Sequence, residues 1–300
     1  MSTIAITGAS GFVGRQLAAN LRARGDRVVA LVRPPRTPGT DELHWDPQSE
    51  SIDAAGLEGV DAVVHLAGEN IAGGRWTEGQ KQRIRESRTL STALLARSIV
   101  SLKKKPRVWV SASAVGIYGA RGDETLDERS APGRDFLAEV GQAWEAATAP
   151  AEAAGVRVVH ARLGVVLDPE GGALQRMLPP FRLGVGARLG SGAQWMSWIA
   201  RQDVLSALVF ALDHDALRGP VNVTAPAPAT NRQFTDELAK ALHRPAFLAI
   251  PSFAARAIFG EMADAALLGS CRVLPARLLA AGFRFEYESL ARYFAAAFPV

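Results

Sequence analysis

Gly8, Gly11 and Gly14 stand three residues apart, directly after the β-branched, apolar run Thr3-Ile4-Ala5-Ile6-Thr7. That spacing suits a phosphate. Gly8 permits a tight turn, Gly11 lets the main chain approach a pyrophosphate, and Gly14 lets the following helix pack close to its strand. The phosphates would rest on the helix N-terminus, met by N–H groups and the positive end of the dipole. An ordinary Gly-rich turn is the plain alternative. The flanking pattern argues against it, because an amphipathic stretch (15–24) and a second apolar run (28–32) follow at once. Arg33 ends that second run. A dinucleotide fold carries there either an acid for the ribose hydroxyls of NAD or an arginine for the 2′-phosphate of NADP. No acid occurs before Asp41, so NADP(H) is expected.

Other residues able to do chemistry fall at the ends of apolar runs. The run 61–68 closes on Leu66-Ala67-Gly68, small enough at its tip for a cofactor to approach, and Glu69 follows. His65 precedes that tip and reads as a satisfied core histidine. A helical stretch over 78–102 carries Arg88, a candidate cofactor contact. The run 107–113 brings the hydroxyls of Ser111 and Ser113 to the same crevice, and Tyr118 lies in the loop beyond.

These residues need a scaffold that gathers strand ends. Strands alternating with helices predict an α/β doubly wound parallel sheet with right-handed crossovers. Helices are expected over 136–154 and 203–212, and a strand over 219–223. Beyond residue 168, prolines and glycines break the periodicity. We therefore expect a dinucleotide-binding domain over 1–168, to which 201–225 return, and a smaller substrate-side lobe over 169–300. Trp195 or Trp198 is expected to line the cleft above the strand ends, core packing being the alternative.

The chain has 300 residues, 48% of them hydrophobic, and a formal charge of +4 with arginines scattered among acids. Nucleic acid is not an expected partner. The single cysteine, Cys271, excludes an intrachain disulfide framework and offers no metal cluster, which suits a reducing cytoplasm. No stretch reaches the roughly 20 apolar residues of a spanning helix, and no secretory leader is read at the N-terminus. Neither secretion nor membrane insertion is expected.

Several stretches together carry a family resemblance: Ile6-Thr7-Gly8-Ala9-Ser10-Gly11-Phe12-Val13-Gly14, His65-Leu66-Ala67-Gly68-Glu69-Asn70, Ser87-Arg88, Ser111-Ala112-Ser113-Ala114-Val115-Gly116-Ile117-Tyr118-Gly119, Trp144-Glu145, Trp198-Ile199 and Arg272-Val273-Leu274-Pro275. The chain resembles the extended short-chain dehydrogenase/reductase superfamily, in the NAD(P)-dependent epimerase/dehydratase branch whose members end in a C-terminal module, here 250–298. The resemblance implies a Rossmann sheet and contacts from Gly8, Ser10, Gly11, Phe12, Val13 and Gly14 to the pyrophosphate. It further implies contacts from Arg33 to a 2′-phosphate, from Leu66, Ala67 and Gly68 on the adenosine side, and from Arg88 and Val165. Glu69 and Ser111 are counted with them. The superfamily's serine falls on Ser113. Its Tyr-x-x-x-Lys pair falls on Leu137 and Gly141, neither of which can move a proton. The acid/base is therefore open among Ser113, Tyr118, Glu69 and water. Two functions follow: an NADP(H)-dependent oxidoreductase or epimerase-like enzyme acting on a small molecule, or an NADPH-responsive binding or regulatory protein. A monomer and a homodimer both fit.

Overall fold

The computed structural model describes residues 1–299, which divide into two compact units. The first comprises Met1–Ser113, Val140–Ala161 and Leu208–Val221; the second takes Ala114–Glu139, Arg162–Ala207 and Asn222 onward.

In chain order the first stretch gives β1 (Thr3–Thr7), α1 (Gly14–Ala23), β2 (Arg27–Val32), β3 (Glu42–Asp46), β4 (Ser51–Ile52), β5 (Ala62–His65), α2 (Glu78–Ser101) and β6 (Val108–Ala114). There follow β7 (Thr125–Leu126), α3 (Phe136–Ala146), α4 (Ala149–Ala153), β8 (Arg157–Leu163), β9 (Val165–Asp168), α5 (Gly172–Arg182), β10 (Ala187–Leu189), β11 (Trp195–Met196), β12 (Trp198–Ala200), α6 (Arg201–Asp213) and β13 (Gly219–Val223). The remainder is β14 (Ala229–Thr230), α7 (Asn231–Ala241), β15 (Leu248–Ile250), α8 (Ser252–Phe259), β16 (Arg272–Val273), α9 (Ala276–Ala280) and α10 (Leu290–Ala297).

The main sheet runs β13-β8-β6-β5-β1-β2-β3-β4. Strands β6, β5, β1, β2 and β3 are parallel, and β4 closes the edge antiparallel to β3. Reversal of direction on either side of β1 is the doubly wound pattern, and it brings the ends of β1 and β5 together where ligands bind in open α/β sheets. The central strands are buried along their length, as a sheet covered on both faces requires. Trp45, Leu57, Val63, Leu95, Ile99 and Trp109 join one core on this unit. Thr77 starts α2 by accepting a hydrogen bond from the Gln80 N–H, a side-chain cap on an otherwise orphaned donor.

Three local readings change. The expected helix over 136–154 is two, because Pro150 sits in the first turn of α4 and cannot continue α3. The edge strands β3 and β4 were not anticipated. The stretch after β6 forms a 3-10 turn, Val115–Tyr118, and β7, which packs with the second unit.

In the second unit β9 pairs with β12, and α5, α7 and α10 enclose a core that includes Trp198, Phe234 and Phe294. Trp198 is fully buried, its indole N–H donates to the Ala227 carbonyl, and its ring lies 5.9 Å from that of Tyr293. Of the two tryptophans offered for a cleft, Trp198 is therefore core, the alternative reading. Trp195 is half-buried, donates to Asp123 and carries the Arg272 guanidinium 4.3 Å above its ring. Asp203 accepts from the N–H groups of Glu286 and Tyr287, which ties the C-terminal segment to α6.

Candidate functional site

The turn between β1 and α1 is built as a cradle. Gly8 has φ +69°, and a side chain there would stand 2.9 Å from the Leu66 carbonyl carbon. Gly11 N–H donates to the Gly8 carbonyl at 2.9 Å, and a Cβ on Gly14 would stand 2.1 Å from that same oxygen. The spacing read from the sequence is thus a steric requirement at Gly8 and Gly14, while a Cβ on Gly11 would be tight, 3.1 Å from the Gly8 oxygen. No side chain caps α1 and no acid occupies its first turn, so nothing of the chain's own opposes an anion there. Ser10 and Gly11 are exposed, Phe12 and Val13 half-buried.

The cradle is fixed from behind by a buried histidine. The Thr7 hydroxyl oxygen accepts from Leu66 N–H and Ala67 N–H, so its own proton goes to His65 Nδ1, 2.7 Å away. His65 Nε2 must then carry the ring hydrogen, and it meets Ser91 and Thr92 at 3.1 Å each. The ring is fully buried between Trp45 and Trp109, and burial holds its pKa down to about 3. His65 is therefore the neutral, satisfied core histidine expected.

Leu66, Ala67 and Gly68 leave β5 beside this tie. The Arg88 guanidinium lies 3.4 Å from where a Gly68 side chain would be, donates to the Glu69 and Ile84 carbonyls, and sits 5.0 Å over the Trp144 ring. Burial lowers its pKa to about 10, with Glu69 pulling the other way, so it stays a cation at neutral pH. Glu69 N–H donates to Ser87 Oγ. Arg33 is exposed, and its side chain has no hydrogen bond or ion pair among the described residues. The next two acids along the chain are taken: Asp41 by Arg27 and Glu42 by Arg36.

Ser111 is buried, its hydroxyl reaching only the Ala112 carbonyl at 3.4 Å. Ser113 Oγ donates to Glu145 Oε1 at 2.7 Å. Sequence reasoning used Glu145 as a landmark of its helix and missed this contact, which spans 32 residues and had no local signal.

Val165 and Tyr118 lie in the second unit. Val165 stands in β9, opposite Trp198. Tyr118 is fully buried; its hydroxyl donates to Asn222 Oδ1 at 2.7 Å, accepts from Arg162 Nη1 at 2.9 Å, and is held above the ordinary phenol range by burial. These are the surroundings of a packing residue. Tyr118→Phe should lower stability by about 1–3 kcal/mol, because Asn222 and Arg162 lose a buried partner, and should leave NADPH affinity unchanged. Urea denaturation with a parallel NADPH titration checks both halves. Among the described residues no group of three or more His, Cys, Asp or Glu could hold a metal.

Residues 4–224 match the NAD dependent epimerase/dehydratase family, and 250–297 match a domain of unknown function, DUF1731. An epimerase family protein of Mycobacterium leprae is 46% identical over 290 residues, 96% of this chain and 93% of its own length. The chain belongs to the NAD dependent epimerase/dehydratase family. The crystal structure of the human epimerase family protein SDR39U1 with NADPH superposes with a TM-score of 0.89 at 35% identity, over 99% of this chain and all of that one. A nucleoside-diphosphate sugar epimerase from Corynebacterium glutamicum gives 0.83 at 36% identity, over 99% of this chain and 58% of its own. The Gly8–Gly14 cradle, His65 and Arg88 lie inside the matched family segment, and no helix of the described residues is long and apolar enough to cross a membrane.

Proposed function

We propose that this family member is an NADP(H)-dependent oxidoreductase or epimerase-like enzyme of the extended type that works without the usual Tyr-x-x-x-Lys pair. The observation that carries the cofactor is Arg33, an exposed guanidinium without a partner at the end of β2, beside a cradle in which side chains at Gly8 and Gly14 would collide with main chain. The human relative crystallised with NADPH supports it. Gly8, Ser10, Gly11, Phe12, Val13 and Gly14 would hold the pyrophosphate, Arg33 the 2′-phosphate, and Leu66, Ala67, Gly68, Glu69, Arg88 and Ser111 the remainder. When bound, the nicotinamide accepts or donates a hydride.

The tyrosine and lysine positions are Leu137 and Gly141, and Leu137 packs against Gly116, where a Cβ would touch it at 3.4 Å. Tyr118 acts in packing. Ser113 is then the side chain left to meet a substrate oxygen. Residues 169–200 and 226–300 would form the substrate-side lobe, with 250–298 as its module.

The reading is tested by titrating the protein with NADPH and NADH, following nicotinamide fluorescence. A charge-assisted contact to phosphate is worth roughly 1.5–3 kcal/mol, so Arg33→Ala should weaken NADPH about tenfold or more and barely change NADH. Equal affinities for the two cofactors in the unsubstituted protein would overturn the assignment. A metabolite panel, read as oxidation of NADPH, then seeks the substrate.

A further inference from the structure

Behind Ser113 the first unit holds a line of polar side chains that the cofactor cradle does not use. Ser113 Oγ donates to Glu145 Oε1 at 2.7 Å; Glu145 Oε2 stands 3.8 Å from His160 Nδ1; His160 Nε2 is 2.9 Å from Thr148 Oγ1. The four come from β6, α3, the α3–α4 junction and β8. Ser113 and His160 are 2% and 8% exposed, Thr148 is fully buried, and the Glu145 side chain is 12% exposed.

The hydrogen bonds fix where the protons sit. Thr148 has one hydroxyl proton, and its best acceptor is the Glu145 carbonyl at 2.8 Å. Toward His160 it must then accept, so Nε2 carries a hydrogen. The other ring nitrogen faces a carboxylate oxygen, and two lone pairs would oppose each other if Nδ1 were bare. Glu152 adds a second carboxylate, 3.7 Å from Nε2 and half exposed. With an acid before each nitrogen, the ring is favoured as imidazolium. Glu145 Oε1 already accepts from the serine.

We propose that Ser113, Glu145 and His160 form a proton-transfer line that takes over the task of the missing tyrosine and lysine; this rests on the enzyme reading above. In oxidation of a substrate alcohol, the hydroxyl proton passes to Ser113 Oγ as the serine proton passes to Glu145 Oε1. The carboxylate becomes a carboxylic acid, the serine is regenerated, and the carbon loses a hydride for the nicotinamide to accept, leaving a carbonyl. Reduction runs the same transfers backward. Ser113 is the group that touches the reacting oxygen. Glu145 acts through it, and His160 holds Glu145 in its proton-accepting form. A serine alone cannot take up the proton, because its hydroxyl must first lose its own and an unassisted alkoxide is far too basic to form near pH 7; a carboxylate one hydrogen bond away can accept it.

The test is nitrogen-15 NMR of the full chain labelled at histidine, with the His160 signals assigned by their loss in His160→Gln. At pH 7 both His160 nitrogens are expected to be protonated. Glu145→Gln, isosteric and uncharged, should return the ring to a singly protonated, neutral state, while Ser113→Ala should leave it an imidazolium. NADPH affinity should stay within about twofold of the unsubstituted value in both variants, so a loss of the cofactor reading shows separately. With 9,10-phenanthrenequinone as a probe carbonyl, Ser113→Ala and Glu145→Gln should each lower kcat by about 10²-fold with little change in KM. A neutral His160 at pH 7 overturns the proposal. So does an imidazolium indifferent to Glu145→Gln, or equal quinone turnover by that variant and the unsubstituted protein.

Discussion

Gly14→Ala is expected to weaken NADPH about 30-fold or more, an effect that one methyl group produces by collision alone. The added Cβ would stand 2.1 Å from the Gly8 carbonyl oxygen, 2.9 Å from its carbon and 3.1 Å from Ala9 Cα. All three are main-chain atoms of the turn that would cradle the pyrophosphate, so no side chain can swing away. The turn must move off α1, and overpacking of this kind typically costs about 1–3 kcal/mol or more. At roughly 1.4 kcal/mol per tenfold, the upper part of that range gives the stated loss if the cradle bears the shift. Gly25→Ala is the contrast. There φ is +92° and nothing lies within 4 Å, so strain is local to the α1–β2 turn. That variant should lose about 1–2 kcal/mol of stability and keep its NADPH affinity. An NADPH Kd for Gly14→Ala within threefold of the unsubstituted protein would show that the cradle does not hold the phosphates.

What could be read from the residues was what is local. The cradle needs seven consecutive residues, and each glycine meets its obstacle either within the turn or on the adjoining strand end, so type and spacing carry the geometry. The parallel strands β1, β2, β5 and β6 announce themselves as apolar runs because both faces are covered. Strand β3 does not. It mixes Glu42, His44 and Asp46 with a single fully buried residue, Trp45, and β4 is two residues long. Pairing made these strands, and pairing is not a local property. Trp198 misled for a related reason. The expectation of a cleft came from where ligands bind in open α/β sheets, with core packing as its alternative, but β12 pairs with β9 and its ring closes a core made by helices up to a hundred residues away in sequence. The Ser113–Glu145–His160 line is the strongest case. Each member sits in a separate element, β6, α3 and β8, and only the packing of α3 on the sheet makes them neighbours. Nothing local pointed to what stands behind the serine.

Acidification should destabilise this fold through His65, and the size and sign follow from its surroundings. Buried among Trp45, Trp109 and three hydroxyl groups, the ring stays neutral in the folded protein down to about pH 3. In the unfolded chain an imidazole takes its proton near pH 6.5. Between those values the unfolded state holds more protons than the folded one, so stability rises with pH and is lost as pH falls. The slope approaches about 1.4 kcal/mol per pH unit once the unfolded imidazole is fully charged, hence roughly 2.3 kcal/mol between pH 6.5 and pH 4.5. Other groups contribute in that window, so the comparison is with His65→Gln. Glutamine can accept from Thr7 through its carbonyl oxygen and donate toward Ser91 or Thr92 through its amide, and it does not titrate. At pH 7.5 the variant should be somewhat less stable, because the planar ring is replaced by a flexible chain between two tryptophans. Toward pH 4.5 its urea-unfolding free energy should fall less steeply by about 1.4 kcal/mol per unit, so that the two curves converge or cross. Parallel curves over that range would mean that the folded protein protonates His65 as readily as the unfolded chain does, and that Thr7 is not tied to β5 through a neutral ring.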